Sequence, residues 1–393
     1  MNKHILNTVI QEFIKNNINS EIAFLLLKNN SFENVELKEV AGQIEAKKKC
    51  KTKLPSWFNA SKIYYPNKLN IEQTSSEITA EYKSQLIIGS TIIDLTGGFG
   101  VDCFYFSKVF KEVTHCEIDK KLSRIVSHNF DQFEIDNIKA VNIDGIEYLK
   151  STNQSYDWIY IDPSRRHESK GKVFYLKDCL PNIPEHIDLL FKHTSNVLIK
   201  VSPMLDMTIG ISELKNTKAI HIVAVNNDVK ELLFVLSKEY KGEIIINTLN
   251  IKGEKREIFE FRYSSEIIAK ADFSLPLTYL YEPNAAILKS GAFKSIAEKL
   301  NVYKLHQHSH LYTSTELIKF PGRAFKIIKQ ITYNKNTIKN ALGKSKANIT
   351  TRNFPESVSQ LKKKFNIKDG GDIYVFFTTN IDDEKIVIVC KKA

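Results

Sequence analysis

The stretch Asp94-Leu95-Thr96-Gly97-Gly98-Phe99-Gly100 brings a carboxylate, a hydroxyl and three glycines together directly after the apolar pair Ile92-Ile93. The apolar pair predicts the end of a buried strand, with Asp94 and Thr96 at its polar tip. The glycines predict a turn whose backbone can approach a ligand closely, because glycine has no side chain to keep the ligand away. The apolar residues from 101 to 109 predict a helix after this turn. A strand, a glycine-rich turn and a helix open many nucleotide-binding domains, in which backbone N–H groups face the ligand.

Each of the next three predicted strands also ends in a carboxylate. The carboxylates are Glu117, Asp144 and Asp162, after predicted strands at 113–116, 140–143 and 158–161. Glu117 follows Gly97 by 20 residues, a spacing typical of a carboxylate that accepts hydrogen bonds from ribose hydroxyls. Taken alone, Asp144 could equally be the N-cap of a short helix over residues 146–149. Because the carboxyl ends of parallel strands meet at one sheet edge, where ligands bind, this coincidence is more specific than any single motif.

The glycine pattern excludes one common interpretation and supports another. The dinucleotide fingerprint G-x-G-x-x-G fails, because its third glycine position is occupied by Cys103. The pattern Asp94-x-Thr96-Gly97-Gly98-x-Gly100 instead resembles motif I of class I S-adenosylmethionine-dependent methyltransferases. This resemblance implies S-adenosyl-L-methionine as cofactor and places the adenine amino group at Asp144. The cofactor-binding residues it implies are Asp94, Thr96, Gly97, Gly98, Gly100, Glu117, Ile118, Asp144 and Gly145.

A predicted helix precedes the motif. Thr74-Ser75-Ser76-Glu77 has the spacing of a capping box, in which Glu77 would reach back to the Thr74 backbone N–H. In class I methyltransferases a segment at this place often covers the cofactor, so Thr79 and Lys83 are candidate cofactor contacts. A helix that simply packs on the sheet explains both residues equally well.

Strands and helices alternate from Thr91 onward, which predicts a mostly parallel sheet with helices on both faces. After a fifth strand at 197–201, the segments 220–225 and 232–236 predict an antiparallel hairpin around a polar turn. Such a closing hairpin distinguishes a methyltransferase sheet from that of a Rossmann dehydrogenase. The predicted fold class is therefore α/β, with a Rossmann-like class I methyltransferase sheet, a helical N-terminal segment and a small α+β C-terminal module. The predicted domains are 1–73, helical; 74–265, methyltransferase; and 276–393, a basic α+β region of THUMP-like or ferredoxin-like type.

The corner Asp162-Pro163-Ser164-Arg165 follows the fourth strand and is the predicted catalytic centre. It resembles the (Asp/Asn/Ser)-Pro-Pro-(Tyr/Phe) motif of enzymes that methylate exocyclic amino groups, although Ser164 and Arg165 replace its second proline and aromatic residue. It also resembles the Asp-Pro-Pro-Arg motif of 5-methyluridine methyltransferases. Those enzymes need a nucleophilic cysteine after the fifth strand, where this chain has Ser202-Pro203-Met204, so covalent catalysis of that kind is not expected.

The form Asp-Pro-x-Arg-Arg, with Lys200-x-Ser202-Pro203-Met204-Leu205-Asp206 downstream, most resembles bacterial methyltransferases that carry a THUMP-like C-terminal domain. Arg165 and Arg166 could grip a phosphate beside the methyl donor, or they could pair with Asp162 or Asp206. The predicted catalytic residues are Asp162, Pro163, Arg165 and Arg166.

Charge is distributed unevenly along the chain. Residues 276–393 hold 20 Lys and Arg against 9 Asp and Glu, so this segment carries the whole net charge of +11. A basic module of this kind is typical of proteins that bind a polyanion. The order of its predicted elements, with Thr351-Arg352-Asn353-Phe354-Pro355 and the Gly370-Gly371 turn, resembles the THUMP-like family, and this resemblance implies RNA binding, because THUMP domains bind RNA in tRNA-modifying enzymes. RNA is therefore the predicted partner. The candidate RNA contacts are Arg323, Lys326, Lys329, Arg352, Lys362, Lys363 and Lys364.

Composition limits the remaining function classes. The sequence has no apolar run of about 18 residues, so no membrane-spanning helix is expected. Its five cysteines are scattered without a C-x-x-C pair, which favours reduced thiols and a cytoplasmic protein. His306, His308 and His310 would share one face of a predicted strand at 303–311, but no carboxylate or cysteine adjoins them, and no metal site is predicted. The oligomeric state stays open.

Three functions remain in competition. The first is an S-adenosylmethionine-dependent methyltransferase that acts on a base or ribose of a structured RNA such as tRNA or rRNA. The second is a protein or small-molecule methyltransferase whose basic module binds an acidic partner. The third is a non-catalytic RNA-binding protein that retains a methyltransferase fold, and the complete set of strand-end carboxylates argues against it.

Overall fold

The computed structural model describes residues 1–27, 31–165, 175–342 and 346–393. The chain forms two compact units, one made of Met1–Thr217 and Leu233–Tyr240 and the other of Lys218–Leu232 and Lys241–Ala393. This division does not coincide with the predicted domain limits at residues 73, 265 and 276, which stay predictions.

The first unit opens with helices, in agreement with the predicted helical N-terminal segment. After a 3₁₀ turn at Lys3–Leu6, these are α1 (Thr8–Asn16), α2 (Ile22–Leu27), α3 (Leu37–Lys53), α4 (Pro55–Asn59), α5 (Lys68–Gln73) and α6 (Glu77–Leu86). Trp57 of α4 is buried, and its ring lies 4.7 Å from Phe104 and 5.0 Å from Phe133, measured between centroids. The N-terminal helices therefore share a core with the helix that follows the glycine loop.

Strands and helices then alternate. The elements are β1 (Thr91–Asp94), α7 (Val101–Phe106), β2 (Glu112–Cys116), α8 (Lys120–Gln132), β3 (Ile138–Val141), α9 (Gly145–Ser151), β4 (Trp158–Ile161), β5 (Ser164–Arg165), a 3₁₀ turn at Leu176–Asp178, β6 (Cys179–Leu180), α10 (Ile183–His193), β7 (Asn196–Val201) and α11 (Met207–Glu213). The main sheet of this unit has the order β9-β7-β4-β1-β2-β3, where β9 (Asp228–Ser237) enters the unit at Leu233. Neighbours from β7 to β3 are parallel. The predicted Rossmann-like α/β class is confirmed.

Two predicted boundaries are wrong by a few residues. The helix after the glycine loop ends at Phe106 rather than at residue 109. Strand β3 ends at Val141 rather than at residue 143, because the Asn142 amide donates hydrogen bonds to the carbonyls of Glu117 (2.8 Å) and Ile118 (3.1 Å) and turns the chain out of the ladder.

The capping box predicted at Thr74 is also wrong. The N-cap of α6 is Ser76, whose side chain accepts a hydrogen bond from the Thr79 N–H. Glu77 turns away from the helix start and lies buried, where it accepts hydrogen bonds from Ser56 N (2.6 Å), Ser56 Oγ (2.8 Å) and Tyr105 Oη (3.0 Å). This one carboxylate therefore joins α4, α6 and α7.

Replacing Glu77 by Ala should lower the free energy of unfolding by about 3 kcal/mol, because a backbone N–H and two hydroxyls would lose a charged acceptor in a buried place. Urea unfolding measures this difference. Glu81→Ala is the matched control, since Glu81 lies on the same helix but is exposed, and it should change stability by less than about 0.5 kcal/mol. Equal effects of the two substitutions would contradict the assigned role of Glu77.

The strands that the structure describes in the second unit fall into two groups. Strand β8 (Thr217–Val225), which enters the unit at Lys218, and β9 form the predicted hairpin, and β10 (Ile245–Lys252) and β11 (Lys255–Arg262) extend the order to β11-β10-β8-β9. A seven-stranded sheet of order β13-β14-β12-β15-β18-β17-β16 follows. Its strands are β12 (Tyr279–Pro283), β13 (Tyr303–Lys304), β14 (Tyr312–Ser314), β15 (Gly322–Thr332), β16 (Asn348–Arg352), β17 (Tyr374–Thr379) and β18 (Lys385–Lys392).

Helices accompany this sheet and complete the predicted α+β module. They are α12 (Ser265–Ile268), α13 (Ala285–Ser290), α14 (Ser295–Leu300), α15 (Lys335–Leu342) and α16 (Val358–Phe365). Ile338 of α15 and Leu361 of α16 join a buried apolar cluster with Phe377 of the sheet. A second cluster, around Phe325 and Phe376, contains other residues of the same strands.

The strand predicted over residues 303–311 is wrong beyond β13. The ring Nδ1 of His306 accepts hydrogen bonds from His308 N (3.1 Å) and Asn353 Nδ2 (2.9 Å), and this closes a turn instead of continuing the strand. His310 stacks on Phe293 with ring centroids 3.6 Å apart. The three histidines therefore do not share one strand face.

Among the described helices, none is long and apolar enough to cross a membrane.

Candidate active site

The carboxyl ends of β1 and β4 are joined through the side chain of Thr96. The Thr96 hydroxyl donates to Asp94 Oδ1 (3.2 Å) and accepts from the backbone N–H of Asp162 (2.7 Å). Asp94 Oδ1 also accepts from the Thr96 N–H at 2.9 Å. Because β1 and β4 are parallel neighbours, this bridge fixes the glycine loop against the Asp-Pro corner, and two sequence-predicted site segments become one.

The glycine loop lies directly over a buried histidine. A Cβ atom on Gly97 would lie 2.2 Å from His115 Nε2, so the ring occupies the space of any side chain at position 97. His115 is fully buried, and neither ring nitrogen has a hydrogen-bond partner in the described part of the chain. Burial lowers the pKa of His115 to about 4, so its ring is neutral at pH 7. Sequence analysis missed this residue, because nothing in the pattern Val113-Thr114-His115-Cys116 indicates which side chain faces the loop.

Glu117 is held by backbone amides on both of its oxygens. Oε2 accepts from the Gly98 N–H (2.9 Å), and Oε1 accepts from the Asp119 N–H (2.7 Å). Burial raises the pKa of Glu117, against the lowering effect of these hydrogen bonds. A carboxylate oxygen can accept more than one hydrogen bond, so Glu117 retains capacity for hydroxyl donors. Ile118 beside it is 70% exposed, an unusual environment for a large apolar side chain.

Asp144 adopts the N-cap position that sequence analysis left open. Its Oδ1 accepts from the N–H groups of Ile146 (2.8 Å) and Glu147 (3.1 Å). Gly145 lies so close to the loop after β1 that a Cβ there would be 2.3 Å from the Leu95 carbonyl oxygen. The start of α9 therefore packs against the backbone that leads into the glycine loop.

Asp162 is paired with Lys200, a contact that sequence analysis did not anticipate. In the ladder of β4 and β7, Ile161 pairs with Ile199, so the next residues of the two chains face each other at the sheet edge. The Lys200 ammonium binds Asp162 Oδ2 as an ion pair, and the Asp162 side chain remains 31% exposed. The signal that could have found Lys200 is its place at the end of the fifth strand, but the pairing partner depends on register.

Beneath this pair lies a second lysine–aspartate contact. Lys83 of α6 is fully buried, and its ammonium lies 3.2 Å from Asp102 Oδ1 and 3.1 Å from Ser75 Oγ. Asp102 Oδ2 accepts from Ser75 Oγ (2.8 Å) and Tyr160 Oη (2.9 Å). Burial raises the pKa of Asp102, but Lys83 and Lys200 and these two hydrogen bonds outweigh it and hold that pKa below its ordinary value.

The two residues predicted on α6 thus have internal partners. Lys83 makes the buried contacts above, and the hydroxyl of Thr79, also buried, donates to the Ser76 carbonyl at 3.1 Å. These contacts favour the packing interpretation, and cofactor contact by Thr79 and Lys83 stays a prediction.

The remaining catalytic candidates are only partly described. Pro163 is buried, and the backbone of Ser164 and Arg165 forms β5, which pairs antiparallel with Leu180 and Cys179 of β6. Arg166 lies outside the described residues, so its catalytic role stays a prediction.

The basic candidates of the second unit fall into three groups. Arg323 and Arg352 both pair with Glu282. Lys362 pairs with Asp369, and Lys364 with Glu356. The exposed lysines that make no ion pair with any described residue are Lys326, Lys329 and Lys363.

Within the described ranges, no group of three or more His, Cys, Asp or Glu side chains is arranged to hold a metal ion.

Comparison with known proteins adds a relationship over the full chain. The crystal structure of a candidate methyltransferase from Porphyromonas gingivalis W83 matches with a TM-score of 0.89 and 31% identity, over 98% of each chain. The chain belongs to the family of this protein. Within the present chain, residues 279–321 match a ferredoxin-like domain and residues 322–392 match the THUMP domain-like family.

Other solved structures match only in part. A candidate methyltransferase from Escherichia coli gives a TM-score of 0.31 at 18% identity, over 42% of this chain and 85% of its own. A candidate methyltransferase from Streptococcus mutans in complex with SAH gives 0.31 at 14% identity, over 41% of this chain and 96% of its own. No curated protein matches the chain significantly.

The contact between Gly97 and His115 makes a double-mutant prediction. Gly97→Ala should lower the free energy of unfolding by about 2–3 kcal/mol, since the added methyl group overlaps the ring. In a His115→Ala background the same change should cost less than about 1 kcal/mol, because the space is then empty. Urea unfolding of the four proteins gives the coupling energy.

Gly42→Ala is the control for this cycle, because no atom lies within 4 Å of a Cβ at Gly42. Additive effects of Gly97→Ala and His115→Ala would show that the two positions do not compete for one volume.

The buried carboxyl group of Asp94 should make the free energy of unfolding depend on pH. Burial, with smaller contributions from Asp102 and Asp162, raises the pKa of Asp94 from 3.8 to about 8. The native state therefore binds a proton that the unfolded chain releases between these values, so this group's stabilisation is complete below pH 4 and is lost as the pH rises through 8. Asp94→Asn removes the titration and keeps an oxygen for Thr96. Relative to wild type, the variant should gain stability from pH 5 to pH 8, by at most about 1.4 kcal/mol per pH unit.

Urea unfolding at both pH values, without added cofactor, measures this difference. A constant offset between the two proteins would disprove the raised pKa.

Proposed function

We propose that this protein is an S-adenosyl-L-methionine-dependent methyltransferase that acts on a structured RNA. The observation that carries the proposal is the Thr96 bridge, since one hydroxyl couples the loop predicted to hold the methyl donor to the corner predicted to hold the acceptor. Catalysis of methyl transfer depends mainly on alignment of the nucleophile with the methyl group. A rigid connection between the two half-sites is what such alignment requires.

The residues at the sheet edge fit the cofactor. At Gly97 and Gly145 any side chain would collide with His115 or Leu95, so backbone packs closely along the strand ends, and at Gly98 an added Cβ would have no atom nearer than 3.7 Å. Asp94, Thr96, Gly98 and Gly100 would hold the methionine part, Glu117 the ribose, and Asp144 with Gly145 the adenine, while Ile118 would cover the base. When bound, the cofactor supplies an electrophilic sulfonium methyl group.

Asp162 and Lys200 would position the acceptor. The ion pair fixes the Asp162 carboxylate at the edge of the sheet, with part of its surface open to an incoming group. There the carboxylate can accept a hydrogen bond from the acceptor nitrogen or oxygen, and it can take up a proton if the nucleophile has one to lose. Pro163 continues the corner, and Arg165 and Arg166 would bind a phosphate of the substrate.

RNA is the proposed substrate class because the positive charge of the chain is concentrated in its C-terminal segment. The exposed residues Lys326, Lys329 and Lys363, together with Arg323, Arg352, Lys362 and Lys364, would contact phosphates there. A cytoplasmic location would suit this substrate.

Calorimetric titration of S-adenosyl-L-methionine tests the cofactor half of the proposal. Wild type should bind, and Glu117→Ala should weaken binding about tenfold or more, because the ribose hydroxyls lose a charged acceptor. Glu112→Ala is the matched control, since Glu112 lies on the same strand but is exposed at its other end. Absence of binding by wild type, with and without RNA present, would refute the proposal.

Transfer of a labelled methyl group to total cellular RNA tests the substrate half. Asp162→Asn and Lys200→Met should each lower the rate at saturating cofactor by about 100-fold, while leaving cofactor affinity within about threefold. Label that enters protein but not RNA would favour the alternative protein methyltransferase.

A further inference from the structure

Two arginines in the second unit converge on one buried carboxylate. Glu282 lies on β12 with a side chain only 4% exposed. Its Oε2 accepts from Arg323, with Nε at 2.7 Å, and its Oε1 lies 2.7 Å from Arg352 Nη2. Arg323 and Arg352 come from β15 and β16, which are separated in the sheet by β18 and β17. The two side chains therefore reach the same carboxylate from strands that are not neighbours in the sheet.

Arg323 and Arg352 together carry more positive charge than is needed to neutralise the buried carboxylate of Glu282. One guanidinium is enough to neutralise a buried carboxylate, and a second one at the same group repels the first. Neither arginine is withdrawn from solvent, because the side chains of Arg323 and Arg352 are 41% and 36% exposed. A purely internal ion pair would have no need of two half-exposed cations.

The unused hydrogen-bond donors point to an anion. Arg323 uses Nε and Nη2 for Glu282 and for Thr350 Oγ1 (3.5 Å), so its Nη1 has no acceptor among the described residues. Arg352 uses Nη1 for the Thr351 carbonyl (3.3 Å) and Nη2 for Glu282, while its Nε is buried away from any incoming ligand. Guanidinium groups only donate, so the remaining N–H groups of Arg323 Nη1 can be satisfied only by an acceptor that comes from outside or by water.

The surroundings restrict how the arginines can move. The Arg323 guanidinium carbon lies 5.4 Å from the centroid of the Phe325 ring, and Glu282 fixes the other edge of the group. Planar guanidinium groups held in this way bind phosphate oxygens with defined geometry, whereas a lysine acts as a point charge. Lys362 and Lys364, by contrast, are already paired with Asp369 and Glu356.

We propose that Arg323 and Arg352, oriented by Glu282, form a clamp for a phosphate-ester oxyanion of an RNA strand. This inference rests on the proposed RNA-directed function, and it selects these two arginines from the seven basic candidates as the specific phosphate contact. The other five candidates then contribute weaker phosphate contacts that depend on charge more than on geometry.

Fluorescence anisotropy with a labelled RNA hairpin tests the clamp, using the full chain. In Arg352→Gln, Glu282 keeps Arg323 as a partner, so the variant should fold, and its melting temperature checks this. We expect it to lose affinity about tenfold or more and to lower the slope of log affinity against log salt by about one. Arg352→Lys keeps the charge and should retain the salt slope but still lose most of that affinity.

Lys339→Gln is the control, because it removes the same charge from an exposed residue of the same unit that makes no ion pair with a described residue and is not among the candidate RNA contacts. It should lower affinity about twofold or less. If Arg352→Gln and Lys339→Gln weaken RNA binding equally, the clamp is disproved and the ion cluster only stabilises the sheet.

Two outcomes of these binding and methylation assays distinguish failure of the clamp from failure of the proposed RNA-directed function. If wild type methylates RNA and Arg352→Gln binds RNA normally, only the clamp fails. If wild type binds S-adenosyl-L-methionine but no RNA, both the clamp and the RNA-directed function fail.

Discussion

The hydroxyl group of Thr96 is the contact on which the candidate site depends. It donates to one strand end and accepts from another, so two hydrogen bonds link the glycine loop directly to the Asp-Pro corner. Serine could form the same bonds, but most other side chains could not act as donor and acceptor at once. The ion pair of Asp162 with Lys200 then fixes the far side of the corner against β7.

Much of this site could be predicted from the sequence, because it depends on local pattern. Apolar runs that end in Asp94, Glu117, Asp144 and Asp162 place four carboxylates at one sheet edge without any knowledge of packing, and each strand is present in the structure. The role of Asp144 as an N-cap could be predicted as an alternative for the same reason, since a cap depends on residues two or three positions away.

Contacts between distant segments could not be predicted in this way. Lys200 meets Asp162 because of the register of two strands, and His115 meets Gly97 because of the side of β2 on which it lies. Glu77 looked like a local cap, yet a buried backbone N–H and two hydroxyls from other helices compete more strongly for its carboxylate. The histidines at 306, 308 and 310 alternate like strand residues. However, the ring Nδ1 of His306 accepts a hydrogen bond from the backbone N–H of His308, and this turn ends the strand.

The pairing of β12 with β15 makes the two matched segments of the C-terminal region depend on each other. The ferredoxin-like match ends at residue 321 and the THUMP-like match begins at 322, yet five residue pairs of the ladder between these strands lie across that boundary. Glu282 on one side is neutralised by arginines on the other. Recombination at this boundary would leave each fragment with an open sheet edge, and the first fragment with an unpaired buried charge. The two sequence families should therefore occur together in one chain, even though each is recognisable by itself.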